Sequence, residues 1–335
     1  MNMKKTMFSA LALMLALSVH ADALTKYHKN ALKRHADTAA AGAWVKYEKN
    51  PVLGGGDLGT IFDICVLKTD KGYTMFSSWR PPRTIAVHYS KDGFNWTPPK
   101  SVLLPTSENF RDWSYRLNRP GVLYKDGVYH MWFTGQENKP SKARIGYATS
   151  KDGEHWQMRK QFVMESTEKW EGESVMCPHV IWDESEKIVK MWYSGGESYE
   201  PNAIGYATSK DGVSWKKYEG NPVCVPDKRF PWERERVTAC QVIKRRNDYL
   251  MFYIGFENVK TARICMARSK DGIRNWERYK GNPIIQPEVG SWDADATYKP
   301  YAIFNGKDWL LWYNGRTKRL ERIGVAVHKG ADLGF

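Results

Sequence analysis

Carboxylates recur at matching places along this sequence of 335 residues. Glu173 opens the run Glu173-Ser-Val-Met-Cys-Pro-His179, Glu235 opens Glu235-Arg-Val-Thr-Ala-Cys240, and Asp295 opens Asp295-Ala-Thr-Tyr-Lys299. Aligned on the apolar residues that follow, the three acids are equivalent. Asp63 sits inside an apolar run, Ile61-Phe-Asp-Ile-Cys65, where a carboxylate is costly unless it faces a polar cavity. Arg80, Arg119, His179, Glu197 and Lys299 stand at similar strand starts or in the loops between strands. Converging acids flanked by Arg and His suit cleavage of a glycosidic bond. One carboxylic acid protonates the leaving oxygen, and a second acts as base on water or as nucleophile. A third shifts the acid's pKa by like charge. Taken singly, each acid also reads as a solvated loop residue or an arginine's partner. His179 reads as a satisfied inner-strand histidine, a sugar-binding group, or a ligand for a central ion such as calcium.

Positioning these groups requires a repeated scaffold, and one is visible. Ser90-Lys-Asp-Gly-Phe-Asn-Trp96 returns as Ser150 to Trp156, Ser209 to Trp215 and Ser269 to Trp276, about 60 residues apart. Each copy follows two short apolar runs, such as Tyr129-His-Met-Trp-Phe133 and Ile145-Gly-Tyr-Ala-Thr149. Short strands at a fixed period predict an all-β, five-bladed β-propeller. Asp-Gly marks the turn between the third and outermost strands, since Gly supplies the positive φ. The following Trp is expected to pack the outer strand onto its blade. A last unit, Tyr298–Phe304, Trp309–Tyr313 and Ile323–Val327, lacks an outer strand. Trp44-Val-Lys-Tyr-Glu-Lys-Asn-Pro-Val52 matches Trp215–Val223 and is expected to supply it, closing the ring and covering an edge. Residues 43–335 then form one domain, with 24–42 as a leader. Strand topology places the inner-strand starts and the loops between second and third strands on one face, around a central funnel that is the default ligand site.

Composition narrows the partners. Lys and Arg number 51 against 37 Asp and Glu, a net charge of +14, spread through all blades. No dense basic run marks a nucleic-acid surface; an acidic polysaccharide fits the excess better. The apolar run Met7–Val19 follows Lys4 and Lys5 and is too short to span a bilayer. Residues 1–23 therefore read as a signal peptide, which predicts a periplasmic or secreted protein without a membrane span. The five cysteines show no zinc spacing and read as buried small apolar groups. Phosphate-loop, His-Glu-x-x-His and Gly-x-Ser-x-Gly motifs are absent from the sequence.

The 60-residue blades, Asp63 on the first inner strand and Glu on later ones resemble the five-bladed glycoside hydrolase superfamily that includes families 43, 32, 62, 117 and 130. Met176-Cys-Pro-His-Val-Ile-Trp182, Met191-Trp-Tyr-Ser-Gly-Gly196 and Lys299-Pro-Tyr-Ala-Ile-Phe304 resemble uncharacterised bacterial glycosylase propellers of that group. The resemblance to family 43 implies Asp63 as general base and Glu173 as general acid. Glu235 stands as an alternative partner or modulator, because Asn118-Arg119-Pro120 occupies the place of that family's modulating Asp. Arg80, Arg119, His179, Glu197, Asp295 and Lys299 are expected to hold the sugar. The expectation is a monomeric, exo-acting glycoside hydrolase of plant or algal oligosaccharides that needs no cofactor. The alternatives are a non-catalytic carbohydrate-binding propeller and a phosphorylase resembling family 130.

Overall fold

The computed structural model describes residues 44–105, 111–138, 142–197 and 201–335. The signal peptide and leader lie outside the described residues. Chain order begins with β1 (Val45–Lys46). Blade one holds β2 (Thr60–Thr69), β3 (Gly72–Arg80), β4 (Thr84–Ser90) and β5 (Lys100–Leu103). Blade two holds β6 (Arg116–Lys125), β7 (Val128–Gln136), β8 (Ala143–Ser150) and β9 (Gln157–Met158). Blade three holds β10 (Ser174–Asp183), β11 (Ile188–Gly196), β12 (Pro201–Ser209) and β13 (Lys216–Lys217). Blade four holds β14 (Arg236–Lys244), β15 (Tyr249–Asn258), β16 (Thr261–Ser269) and β17 (Glu277–Arg278). Blade five holds β18 (Ala296–Phe304), β19 (Asp308–Thr317) and β20 (Leu320–Lys329). Its fourth strand is β1, antiparallel to β20 with Val45 opposite Val327. The five-bladed propeller and its closure by the N-terminal strand are as the repeat predicts.

The Asp-Gly turns cap themselves. Asp211 Oδ1 accepts from the Val213 and Ser214 amides at 2.8 and 2.7 Å, and Gly212 lies at φ 74°. These bonds hold the Asp211 carboxyl well below the usual range. The repeat Trp does more than seal its own blade. Trp215 packs edge-on against Trp132 of the preceding blade, and the Trp132 indole donates to Gly212 O at 2.7 Å. Trp192 reaches Gly272 O and Trp312 reaches Gly93 O in the same way. The motif therefore staples neighbouring blades, because a propeller's core lies between sheets that stack face to face.

Every inner strand carries a bulge at the same place. Register slips between Phe62/Cys65, Asn118/Gly121, Met176/His179, Thr238/Gln241 and Tyr298/Tyr301. At each slip one residue takes left-handed φ: Asp63 (53°), Arg119 (54°), Cys177 (55°), Ala239 (40°) and Lys299 (51°). That conformation costs about 1–3 kcal/mol in a non-glycine residue and persists only where surroundings over-determine it. Here the neighbouring blade does so. Amides of Asp63, Arg119, Cys177 and Ala239 donate to Asn314 Oδ1, Ser78 Oγ, Thr134 Oγ1 and Ser194 Oγ at 2.9–3.2 Å. The bulges re-aim these side chains toward the axis. In this way the fold builds the site.

Candidate active site

A cavity of about 170 Å³ opens at the bulge ring. Its polar side comes from blades five, one and two. Asp63 and Arg119 arrive from the bulges, Arg80 from the end of β3, and Arg316 and Glu321 from opposite one another on β19 and β20. Tyr298 completes that side and donates a hydrogen bond to Glu321. The other side is apolar: Ala239, Ile254, Phe256, Ala262 and Ala296 form part of one buried cluster.

The two carboxylates differ in surroundings. Asp63 is 5% exposed and faces Arg119 Nε at 3.5 Å, yet its Oδ2 has no hydrogen-bond partner among the described residues. Burial pushes the Glu321 carboxyl above its ordinary value; the Tyr298 bond opposes this, and the Asp63 charge adds to it. Arg80 and Arg316 also act to lower it. Burial and Glu321 together raise the Tyr298 phenol well above its usual range, so it stays a donor. Arg80 stacks 4.5 Å from the Phe62 ring and Arg316 5.9 Å from the Tyr298 ring. Stacking holds each guanidinium in place, and Arg316 Nη2 also donates to Lys260 O at 3.2 Å. Three arginines thus face two acids, one of them biased toward its neutral form. The arrangement can protonate a leaving oxygen, activate a nucleophile and hold an oxyanion.

The expected residues divide. Asp63, Arg80 and Arg119 share the cavity. Glu173 and Glu235 are exposed at the strand starts and do not line it. Glu197 is exposed and pairs with Arg236 at 3.2 Å; Asp295 is exposed and accepts from the Lys318 amide at 2.5 Å. His179 is buried one ring deeper, where Nε2 bonds Val242 O at 2.9 Å and burial lowers its pKa to about 4. Among the described residues no three His, Cys, Asp or Glu groups gather to hold a metal. Lys299 is buried in the bulge ring but outside the cavity lining.

Glu321 and Tyr298 are the groups that reading the sequence missed. Glu321 follows a short connection between β19 and β20, with nothing resembling the strand-start acids to mark it. A different signal was legible: Trp precedes an acid at 170–171, 232–233 and 292–293. Those acids are buried two residues before Glu173, Glu235 and Asp295, and they make ion pairs within their blades. Glu171 binds Lys217 Nζ at 2.7 Å and Tyr193 Oη at 2.8 Å. Glu233 binds Arg278 Nε at 3.1 Å and accepts from Tyr253. Asp293 binds Lys46 Nζ at 2.6 Å and Tyr313 Oη at 3.2 Å.

The fold is a five-bladed propeller similar to those of solved glycoside hydrolases. Residues 114–236 match the family described as the glycosyl hydrolases family 32 N-terminal domain. A solved thermostable family-43 glycoside hydrolase superposes with a TM-score of 0.66 at 20% identity, over 83% of this chain and 91% of the other. In sequence the chain is similar to a 1,2-beta-oligomannan phosphorylase of Thermoanaerobacter sp. (strain X514), 25% identical over 68% of this chain and 74% of that protein. It is also similar to a beta-1,2-mannobiose phosphorylase of the same strain, 29% identical over 43% of this chain and 51% of that protein. Among the described residues no helix is long and apolar enough to cross a membrane.

Proposed function

We propose that this protein is a carbohydrate-active enzyme that cleaves the glycosidic bond of a terminal sugar, with Glu321 as general acid and Asp63 as the base or nucleophile. One observation carries the reading: two carboxylates share a cavity whose environment favours the proton on one of them. That is the pattern by which paired acids divide their roles. Glu173 and Glu235, solvated at the rim, would contact sugars beyond the bond that breaks. The cavity is smaller than the roughly 300–1,000 Å³ of sites that engulf larger ligands, which supports exo action. The fold's likeness to glycoside hydrolases supports the substrate class, and the N-terminal apolar run supports export to the periplasm or beyond, as a soluble monomer working on plant or algal oligosaccharides.

Phosphorolysis is the second reading. Arg80, Arg119 and Arg316 leave the cavity with an excess of positive charge suited to an oxyanion, and the similar Thermoanaerobacter proteins are named phosphorylases. Aryl glycosides and oligosaccharides, β-1,2-linked mannosides included, assayed with and without inorganic phosphate, separate the two. Turnover that requires phosphate selects phosphorolysis; turnover without it selects hydrolysis. Binding without turnover would mean a carbohydrate-binding propeller, and full activity in Glu321→Gln would remove Glu321 as the acid.

A further inference from the structure

We infer that the cavity is built for a terminal 6-deoxy sugar, one bearing a methyl group where a common hexose has hydroxymethyl. The inference rests on the glycosidic reading of the same cavity. Its basis is the wall opposite the arginines. Pro201, Ala239, Ile254, Phe256, Ala262 and Ala296 line that wall, all are buried, and none offers a side-chain hydrogen-bonding atom. The Cys177 thiol, a weak donor, and Thr238 are the exceptions there; Thr238 is 2% exposed and its Oγ1 has no partner among the described residues. One ligand hydroxyl satisfies it.

Ile254 breaks the repeat at this wall. In the other four blades the corresponding residue is Ser78, Thr134, Ser194 or Asn314, and each accepts the bulge amide of the next blade. Blade four gives Lys299 no such acceptor, although the same backbone bulge is present. A device that serves the scaffold four times is replaced once, and the replacement faces the cavity. Local departures of this kind mark function rather than folding.

Common hexoses present a hydroxyl or hydroxymethyl around the whole ring. A hydroxyl pressed against this wall out of reach of Thr238 Oγ1 loses water and gains no partner, which costs binding. Asp63, Arg80, Arg119 and Arg316 can satisfy hydroxyls on the opposite side. A methyl substituent fills the wall with contacts; a bare C5 hydrogen leaves a void whose lining loses dispersion attraction. An N-acetyl group brings both an amide N–H and a carbonyl to a wall with one hydroxyl.

The test uses sugar triplets that differ only at C5, carrying hydroxymethyl, methyl or hydrogen. These are D-galactose, D-fucose and L-arabinose; L-galactose, L-fucose and D-arabinose; L-mannose, L-rhamnose and L-lyxose; and D-glucose, D-quinovose and D-xylose. Binding to the whole protein is measured by ligand-observed NMR, with galacturonate and glucuronate added for the carboxylate case. In at least one triplet the methyl sugar is expected to bind about tenfold tighter than the hydroxymethyl sugar, with the pentose between. Ile254→Thr, which restores the repeat's hydroxyl, should shrink that ratio toward one, and Ala262→Ser provides a second variant if the first folds poorly. A hydroxymethyl or carboxylate sugar that equals or beats its methyl counterpart in every triplet overturns the inference, as does no binding by any member. An unchanged ratio in both folded variants overturns it too. Turnover of the matching aryl glycosides is read separately. A methyl preference without turnover removes the glycosidic reading and leaves the pocket's preference standing; turnover with a hydroxymethyl preference does the reverse.

Discussion

Two sets of carboxylates in this propeller differ in how the protein satisfies them. Glu171 and Glu233 close the short 3₁₀ turns Lys169–Glu171 and Pro231–Glu233, and neither is exposed. Both oxygens of each are bonded. Glu171 takes Tyr193 on one and Lys217 with two backbone amides on the other. Glu233 takes Arg278 and the Asp227 amide on one and Tyr253 on the other. Asp63 keeps an oxygen without a hydrogen bond, and Glu321 keeps a proton-favouring environment. Burial alone therefore says little about function. Glu171 and Glu233 are satisfied on both oxygens, whereas Asp63 is not. Asp293 also keeps Oδ1 without a partner among the described residues, so an open oxygen offers capacity for a ligand only where, as at Asp63, it lies at the cavity.

The sharpest way to break this comparison is one substitution applied to both sets. Glu321→Gln and Asp63→Asn should each lower turnover by a factor on the order of 10² or more while leaving the melting temperature nearly unchanged. Glu233→Gln should do the reverse. It leaves Arg278 and Tyr253 buried with a weakened partner, at a cost of up to about 3–5 kcal/mol, while activity per folded molecule stays the same. If Glu233→Gln loses activity at full stability, the division fails.

Lys46 extends the comparison to the ring closure. Lys46→Met removes the cation on Asp293 and should cost roughly 1–3 kcal/mol, read as a lower denaturant midpoint. It should also loosen β1, so protection of the Val45 and Lys46 region in hydrogen exchange should fall. No change in either measurement would mean that blade five closes without this pair.

pH separates the sets more gently. Because the Glu321 carboxyl titrates above its ordinary 4.5, the folded state favours its proton. Its contribution to stability is present below that value and is lost as pH rises through the raised one. An acid that must hold its proton also sets an alkaline limb, so kcat/KM should fall at a pH above the usual glutamate range. A limb at ordinary glutamate pH would argue against Glu321. His88 and His179 behave oppositely. Burial lowers both from 6.5 to about 4, so stability is intact above pH 6.5 and is lost as pH falls toward 4. His88→Gln should flatten the decline of melting temperature across that window; an equally steep decline would assign the acid sensitivity elsewhere.

The smallest effect belongs to the turns. Asp211→Ala removes two amide bonds at an exposed turn and should cost about 1 kcal/mol with activity per folded molecule unchanged. A loss of activity at full stability would place this turn on the active face.

Much of the fold was legible because it rests on local, repeated chemistry. Ser-Lys-Asp-Gly with its Trp specifies a turn by self-capping and positive φ, and four copies announce the period. The match of Trp44–Val52 to Trp215–Val223 marks the closing strand from sequence alone. The site was legible only in part. Asp63 stood out because an acid in an apolar strand needs a reason. Glu173 and Glu235 aligned correctly with one another, but alignment says which acids are equivalent and not which way they face. Two residues earlier, the Trp-acid pairs carried the buried positions.

Sequence by itself determined the blade count, the order of strands, the turns and the ring's closure, since each follows from a pattern within a few residues or from a repeat of that pattern. Only tertiary structure decided which carboxylates meet. Glu321 reaches the funnel because β19 and β20 pair with Arg316 opposite it, and Asp63 joins it because closing the ring sets blade one beside blade five. The left-handed bulge that turns Asp63 and Arg119 inward is held by a side chain from the adjacent blade. No local pattern encodes such a partner, because the interaction exists only once the sheets have packed.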